Sequence, residues 1–87
     1  MSRFAVVFGR RAERELARRK PRMIDRVLEL ADALVEDATP EKYDVEPMRG
    51  AHGFFRVRLG DVRVVYRVEE EKALITILRV APRGRAY

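Results

Sequence analysis

The 87-residue sequence contains no cysteine, a single histidine and no long apolar run. Without cysteine it has neither a disulfide framework nor the ligand spacing of a zinc finger. No stretch approaches the ~18 apolar residues that cross a bilayer, and the apolar run Phe4–Phe8 is too short for a signal peptide. These absences favour one cytoplasmic domain, over residues 1–87, that makes no contact with a membrane.

The common catalytic and cofactor motifs are missing as well. There is no HExxH, no P-loop, no Ser-His-Asp set and no paired glutamates. His52 has a side chain suited to acid–base catalysis, but it lies among turn residues and is interpreted as a surface residue. The sequence therefore predicts neither a metal site nor a cofactor.

Arginine is what the sequence has in abundance. Lys and Arg number 19 against 14 Asp and Glu, a net charge of +5, and only Lys20, Lys42 and Lys72 are lysines. Because arginine binds phosphate through paired N–H groups and stacks on bases, this excess indicates a nucleic acid or an acidic protein as partner. A GC-rich genome would produce the same bias, so the positions of the arginines must decide.

Hydrophobic periodicity predicts an α+β domain in the order β-α-α-β-β-β. The predicted elements are a strand at 4–8, helices at 10–20 and 21–38, and strands at 54–59, 62–69 and 73–80. Residues 39–53 are predicted to form an ordered loop. The second helix carries an apolar stripe that includes Val27, Leu28 and Leu34. We expect the two helices to form a hairpin on one face of a mostly antiparallel, four-stranded sheet.

The stretch GFFRVRLGDVRVVYR predicts a β-hairpin that turns at Gly60-Asp61. In this hairpin Arg58 lies opposite Arg63, and like charges in that position are destabilising. The same face also carries Arg56 and Arg67, and no acidic side chain of the hairpin neutralises it. We therefore favour an anion-binding site over an ordinary solvated face.

The register of the last strand stays open at this stage. A three-residue turn before it would place Ile75, Ile77 and Arg79 on the arginine face, and a four-residue turn would place them on the opposite face.

The segments PMRGAHGFFRVRLGDVRVVYRV and ILRVAPRGRAY resemble the RelE/ParE superfamily of toxins from type II toxin–antitoxin pairs. A Met-basic-Gly step precedes a strand of aromatic, basic and apolar residues, and the last strand leads to basic residues and a terminal tyrosine. The β-α-α order agrees too. The resemblance implies a RelE-like fold. For the RelE-like branch it also implies cleavage of mRNA in the ribosomal A site, where a 2′-hydroxyl attacks the adjacent phosphate.

The resemblance also implies roles for single residues. Catalytic roles fall to Arg58, Arg63, Arg83 and Tyr87, and contacts with RNA phosphates to Arg56, Arg67, Arg79 and Arg85. The arginines would stabilise charge on the phosphate, while the tyrosine would stack on a base or assist proton transfer. Lysine often occupies the family positions of Arg56 and Arg58. Because arginine keeps its proton, the general base stays open among Tyr87, positioning by the ribosome alone, and a weak activity.

Two other functions compete with the RNase. One is a ParE-like gyrase poison without enzymatic activity, and the other is a non-toxic basic binding module. The joint presence of the arginines and the terminal tyrosine favours the RelE-like branch. For either toxin, the family implies a cognate antitoxin whose acidic, disordered segment folds on binding, usually within a heterotetramer.

Overall fold

The computed structural model describes residues 3–82, in which two helices pack on a five-stranded sheet. The elements are β1 (Ala5–Phe8), α1 (Arg10–Ala17), α2 (Pro21–Glu36), β2 (Val45–Pro47), β3 (Phe54–Leu59), β4 (Val62–Glu69), a 3₁₀ turn (Glu70–Lys72) and β5 (Leu74–Pro82). The predicted α+β order is therefore confirmed. The sheet has one strand more than predicted, because β2 forms inside the segment that was expected to be a loop.

The helical hairpin follows from its junction and its apolar stripe. Pro21 is the first residue of α2, where its missing N–H and restricted φ cost nothing. The buried residues of α2 are Val27, Leu30 and Leu34, spaced by three and four. Leu28, which was predicted for the stripe, is 44% exposed, so the buried face is rotated toward Leu30. Within residues 3–82 no helix has the length and apolarity needed to cross a bilayer.

The strand order is β1-β5-β4-β3-β2, with β1 parallel to β5 and the other pairs antiparallel. β2 is the edge strand beside β3, and it ends in Pro47. Proline is tolerated at an edge because its missing N–H removes no ladder bond from a central strand. The edge position matters for the site, since it sets Glu46 beside Arg56.

The β3–β4 hairpin has the predicted register. Leu59 pairs with Val62, and Arg58 pairs with Arg63. Gly60 adopts φ +59° while Asp61 stays out of the left-handed region. This combination is typical of a type II′ turn, whose first central residue must accept a positive φ. The turn thereby holds the two arginines opposite each other.

A β-bulge sets the position of Arg79. The register shifts between Val65 and Tyr66, so that Val65 pairs with Arg79 while Tyr66 pairs with Ile77. Ile77 and Val80 can therefore both be buried although they are three residues apart. Neither register considered from the sequence holds along the whole strand, because both assume unbroken alternation.

Tyr66 connects the sheet to the chain that follows α2. It is fully buried, its hydroxyl donates a 2.6 Å hydrogen bond to the Ala38 carbonyl, and its ring stacks on Phe55 at 5.6 Å between centroids. Burial, reinforced by the charge of Asp37, raises the pKa of this phenol, so it stays a donor at physiological pH.

We expect Tyr66→Phe to lower the free energy of unfolding by about 1–2 kcal/mol, because the Ala38 carbonyl loses its donor. Urea unfolding followed by circular dichroism measures this change. Tyr43→Phe, at a half-buried ring, is the matched control. A loss at Tyr66 no larger than that of the control would contradict this assignment.

Candidate phosphate-binding site

The hairpin has two faces: one is buried against the core, and the other carries the arginines. Side chains alternate along a strand. The residues that flank the two arginines in sequence are buried in the core: Val57, Leu59, Val62 and Val64. Arg58 and Arg63 must therefore point away from the helices. Arg58 is exposed and Arg63 half-buried, which places both guanidinium groups within reach of a ligand.

Arg58 and Arg63 line a small crevice of about 120 Å³, together with Arg56, Val57, Asp44 and Glu46. A water molecule occupies ~30 Å³ in the liquid, so the crevice admits an anion the size of a phosphate group. Among residues 3–82, its lining carries three positive and two negative side chains. A phosphate here would meet a local charge that favours it, next to two carboxylates.

Glu46 is the functional candidate that the sequence interpretation missed. Its Oε1 accepts a hydrogen bond from Arg56 Nε at 3.2 Å. The sequence interpretation considered only the acidic side chains of the hairpin itself, whereas Glu46 reaches the arginine face from the extra edge strand. Val45-Glu46-Pro47 is too short to show alternation and contains a proline, so no sequence signal distinguishes it from a loop.

Arg79 has a structural partner. Its Nη2 lies 2.9 Å and its Nε 3.0 Å from Glu15 Oε2, and the Val80 backbone N–H donates to Glu15 Oε1 at 2.8 Å. Both side chains are only 18% exposed. Burial by itself would raise the pKa of Glu15, but these hydrogen bonds and the charges of Arg79 and Arg11 lower it below its usual value. The group joins α1 to β5, and its role toward phosphate stays a prediction.

Arg67 lies at the opposite end of the hairpin from the turn. It pairs with Phe54 across the strands, its guanidinium stacks over that ring at 5.6 Å, and its Nη2 is 3.9 Å from Glu69 Oε2. It does not line the crevice. The structure thus brings together Arg56, Arg58 and Arg63, and leaves Arg67 and Arg79 apart from them.

The predicted roles of Arg83, Arg85 and Tyr87 lie outside the described residues. The described chain ends with β5, where Ala81 pairs with Arg63 and Pro82 with Val62. It therefore ends beside the Arg58–Arg63 pair.

The remaining candidate, His52, is exposed and lines a separate cavity of about 850 Å³ at the start of β3. Within residues 3–82 no group of His, Asp and Glu is arranged to hold a metal ion. The groups that the described site offers for chemistry are guanidinium groups and carboxylates.

Comparison with known proteins adds the family. Residues 6–87 match the family described as ParE toxin of type II toxin-antitoxin system, parDE. The chain belongs to the RelE/ParE toxin superfamily. The resemblance seen in the hairpin and the C-terminal segment is thereby confirmed.

Relatives of this toxin include proteins named RelE1 and RelG. The RelE1 protein of Methanocaldococcus jannaschii is 30% identical over 98% of this chain and 96% of its own length. Toxin RelG of Mycobacterium tuberculosis is 34% identical over 97% of this chain and 95% of its own length. The RelE toxin in the archaeal RelE-RelB complex of Pyrococcus horikoshii is 34% identical, with a TM-score of 0.85 over 97% of this chain and 99% of that chain.

Proposed function

We propose that this toxin is a ribosome-dependent mRNA endonuclease of the RelE type. The observation that supports it best is the crevice in which Arg58 faces Arg63. A cross-strand pair of like charges destabilises the free protein, and a phosphate between the two guanidinium groups would turn that repulsion into attraction. The RelE names of the Methanocaldococcus jannaschii and Pyrococcus horikoshii relatives, which match nearly the whole chain, support the same branch.

In the proposed reaction the 2′-oxygen of one nucleotide forms a bond to the adjacent phosphorus while the bond from phosphorus to the 5′-oxygen breaks. The products are a 2′,3′-cyclic phosphate and a 5′-hydroxyl. Negative charge grows on the two nonbridging oxygens in the transition state, where Arg58 and Arg63 would donate hydrogen bonds to them. No water molecule enters this balance: the 2′-hydroxyl loses one proton and the leaving oxygen gains one.

Glu46 is our candidate for the base. A carboxylate accepts a proton at neutral pH and an arginine does not. The hydrogen bond from Arg56 holds the Glu46 carboxylate in place at the mouth of the crevice. This proposal places the general base on the edge strand, independent of Tyr87.

Glu46→Gln should lower the single-turnover rate of mRNA cleavage on programmed ribosomes by about 10²–10³, within the range for removal of a general base. Affinity for the ribosome should not fall, because the amide keeps the size of the side chain and removes a negative charge from beside three arginines. Glu41→Gln, an exposed acid that does not line the crevice, is the matched control. A Glu46→Gln rate within threefold of wild type would remove Glu46 from the mechanism.

We further propose that this chain binds a cognate antitoxin, as the Pyrococcus horikoshii relative binds RelB. An acidic segment of such a protein would suit the arginine face, because it would neutralise Arg58 and Arg63 and cover the crevice. The assembly expected for this superfamily is a heterotetramer of two toxins and two antitoxins.

Gyrase inhibition is the second candidate, and the ParE name of the matched family favours it. Fold alone does not separate the two. We expect the purified toxin to cut mRNA in a reconstituted translation reaction and to leave gyrase supercoiling of plasmid DNA unchanged. Inhibited supercoiling together with intact mRNA would overturn the proposed function in favour of this alternative.

A further inference from the structure

A second cationic crevice lies at the junction of α1 and α2. It has a volume of about 360 Å³ and is lined by five basic side chains and one carboxylate, that of Asp61. The basic residues are Arg18, Arg19, Lys20, Arg22 and Arg26. Counted over residues 3–82, these side chains carry a net charge of +4 (five minus one), against +1 (three minus two) at the Arg58–Arg63 crevice. We call this group of five residues the basic corner.

One donor in the basic corner lacks an acceptor. Within residues 3–82, Arg19 Nε is buried and makes no hydrogen bond. A buried N–H without a partner costs free energy, and a charged donor costs more than a neutral one. An oxyanion bound in the crevice would supply the missing acceptor. The basic corner therefore carries both an excess of charge and an unmet hydrogen bond.

The fold holds the basic corner against the hairpin. α1 ends at Ala17 and α2 begins at Pro21, so only three residues connect them. The turn at Gly60 lies against the Arg26 side chain. The contact is so close that a Cβ atom placed on Gly60 would be only 3.1 Å from Arg26 Nη1. The corner therefore lies beside the turn of the hairpin that carries Arg58.

A third crevice, of about 290 Å³, links the corner to the candidate active site. It is lined by Arg26, which belongs to the basic corner, and by Arg58, which belongs to the phosphate crevice. Lys42 adds a positive charge here, against Glu29 and Asp44. The third crevice thus shares a lining residue with each of the other two and lies between the α1–α2 junction and the Arg58–Arg63 pair.

We propose that the basic corner binds the phosphate backbone of the RNA strand that is cut, away from the reacting phosphate. This inference rests on RNA as the substrate, as proposed above. An acidic protein fits the corner less well, because apolar and aromatic side chains anchor protein interfaces. Among residues 3–82, the apolar lining of this crevice consists of Met23 and Val62. Backbone contacts with RNA need only charge and donors.

The test measures binding without cleavage. The probe is a single-stranded 2′-O-methyl RNA of 20 nucleotides, which lacks the attacking hydroxyl, and its affinity is followed by fluorescence anisotropy over a range of salt concentrations. We expect Arg19→Gln/Arg22→Gln to reduce the slope of log K against log salt by about 1.4, since each phosphate contact on a single strand contributes about 0.7. At 0.1 M salt the affinity should fall by about twentyfold on the same scale.

Arg10→Gln/Arg14→Gln is the matched control, because it removes the same charge from exposed positions that do not line the basic corner. Its slope should stay within about 0.4 of wild type, less than the loss of one contact. Equal slopes for the two double variants, or no binding of the probe by wild type, would overturn the proposal. So would a variant that loses antitoxin affinity but keeps RNA affinity, because the corner would then bind protein.

If circular dichroism shows that Arg19→Gln/Arg22→Gln does not fold, Arg18→Gln/Arg22→Gln takes its place. Both of these side chains are exposed, and the expected slope and the overturning result stay the same. Because the probe cannot be cut, this outcome is independent of ribosome-dependent cleavage. A toxin that binds RNA at the corner but cuts no mRNA would refute only the proposed function.

Discussion

Arg58→Gln/Arg63→Gln should lower the rate of mRNA cleavage on programmed ribosomes by about 10²–10³, the effect of removing preorganised donors from a transition state. The register places these two side chains directly opposite each other at one crevice. Because residues that act on the same phosphate are not additive, each single variant should already show most of the loss. Single-turnover cleavage of a labelled mRNA measures the effect.

The free energy of unfolding shows whether a loss of cleavage reflects loss of the donors or loss of the fold. Removing like charges that face each other should change the free energy of unfolding by less than about 1 kcal/mol. Arg10→Gln/Arg14→Gln, which lowers the net charge equally, should keep the wild-type cleavage rate. Retained cleavage in Arg58→Gln/Arg63→Gln, or a loss of cleavage that tracks a loss of fold, would contradict the site.

Glu15→Gln should lower the free energy of unfolding at pH 7 by about 2 kcal/mol. Breaking a fully buried ion pair costs ~3–5 kcal/mol because the remaining charge loses its partner, and the residual 18% exposure of Glu15 and Arg79 reduces that cost. The Val80 backbone N–H also exchanges a carboxylate acceptor for a weaker amide one. Urea unfolding of wild type and variant gives the difference.

The pH dependence of that difference has a defined sign. The pKa of Glu15 is lower in the folded protein than in the unfolded chain. Its contribution to stability is therefore fully present above the unfolded pKa of ~4.3 and is lost as the pH falls through the folded value. The difference in the free energy of unfolding between wild type and Glu15→Gln should persist at pH 6 and disappear in strong acid. Glu13→Gln, at an exposed position of α1, is the control. A gap of equal size at every pH would rule out the carboxylate as its source.

Part of the fold could be predicted from the sequence because local rules agree with the global arrangement. In the hairpin, apolar and polar residues alternate strictly on both sides of Gly60-Asp61, and Gly60 accepts the positive φ that the turn requires. Together these two features permit only one register. That register by itself places Arg58 opposite Arg63. The order of helices and strands follows in the same way, because apolar residues recur about every 3.6 residues in a helix and every second residue in a strand.

Other features could not be predicted because nonlocal contacts decide them. Glu46 joins the site through pairing of a three-residue edge strand with β3, and a segment that short has no period. The bulge beside Val65 changes which side of β5 faces the core, and no residue in that strand marks it. Leu28 and Leu30 both fit a helical stripe, and only packing against the sheet decides that Leu30 is the buried one. The position of Glu46, our candidate base, and the contact of Arg79 with Glu15 both depend on such nonlocal contacts.

The end groups of the cut mRNA test the central claim most directly. Wild-type toxin is added to translating ribosomes and, separately, to the same mRNA without ribosomes, and the fragments are mapped and their termini identified. We predict cuts only on the ribosome, with a 2′,3′-cyclic phosphate or its 3′-phosphate product on one side and a 5′-hydroxyl on the other. Intact mRNA on ribosomes, or fragments that end in a 3′-hydroxyl and a 5′-phosphate, would contradict an arginine crevice that promotes attack by the 2′-hydroxyl.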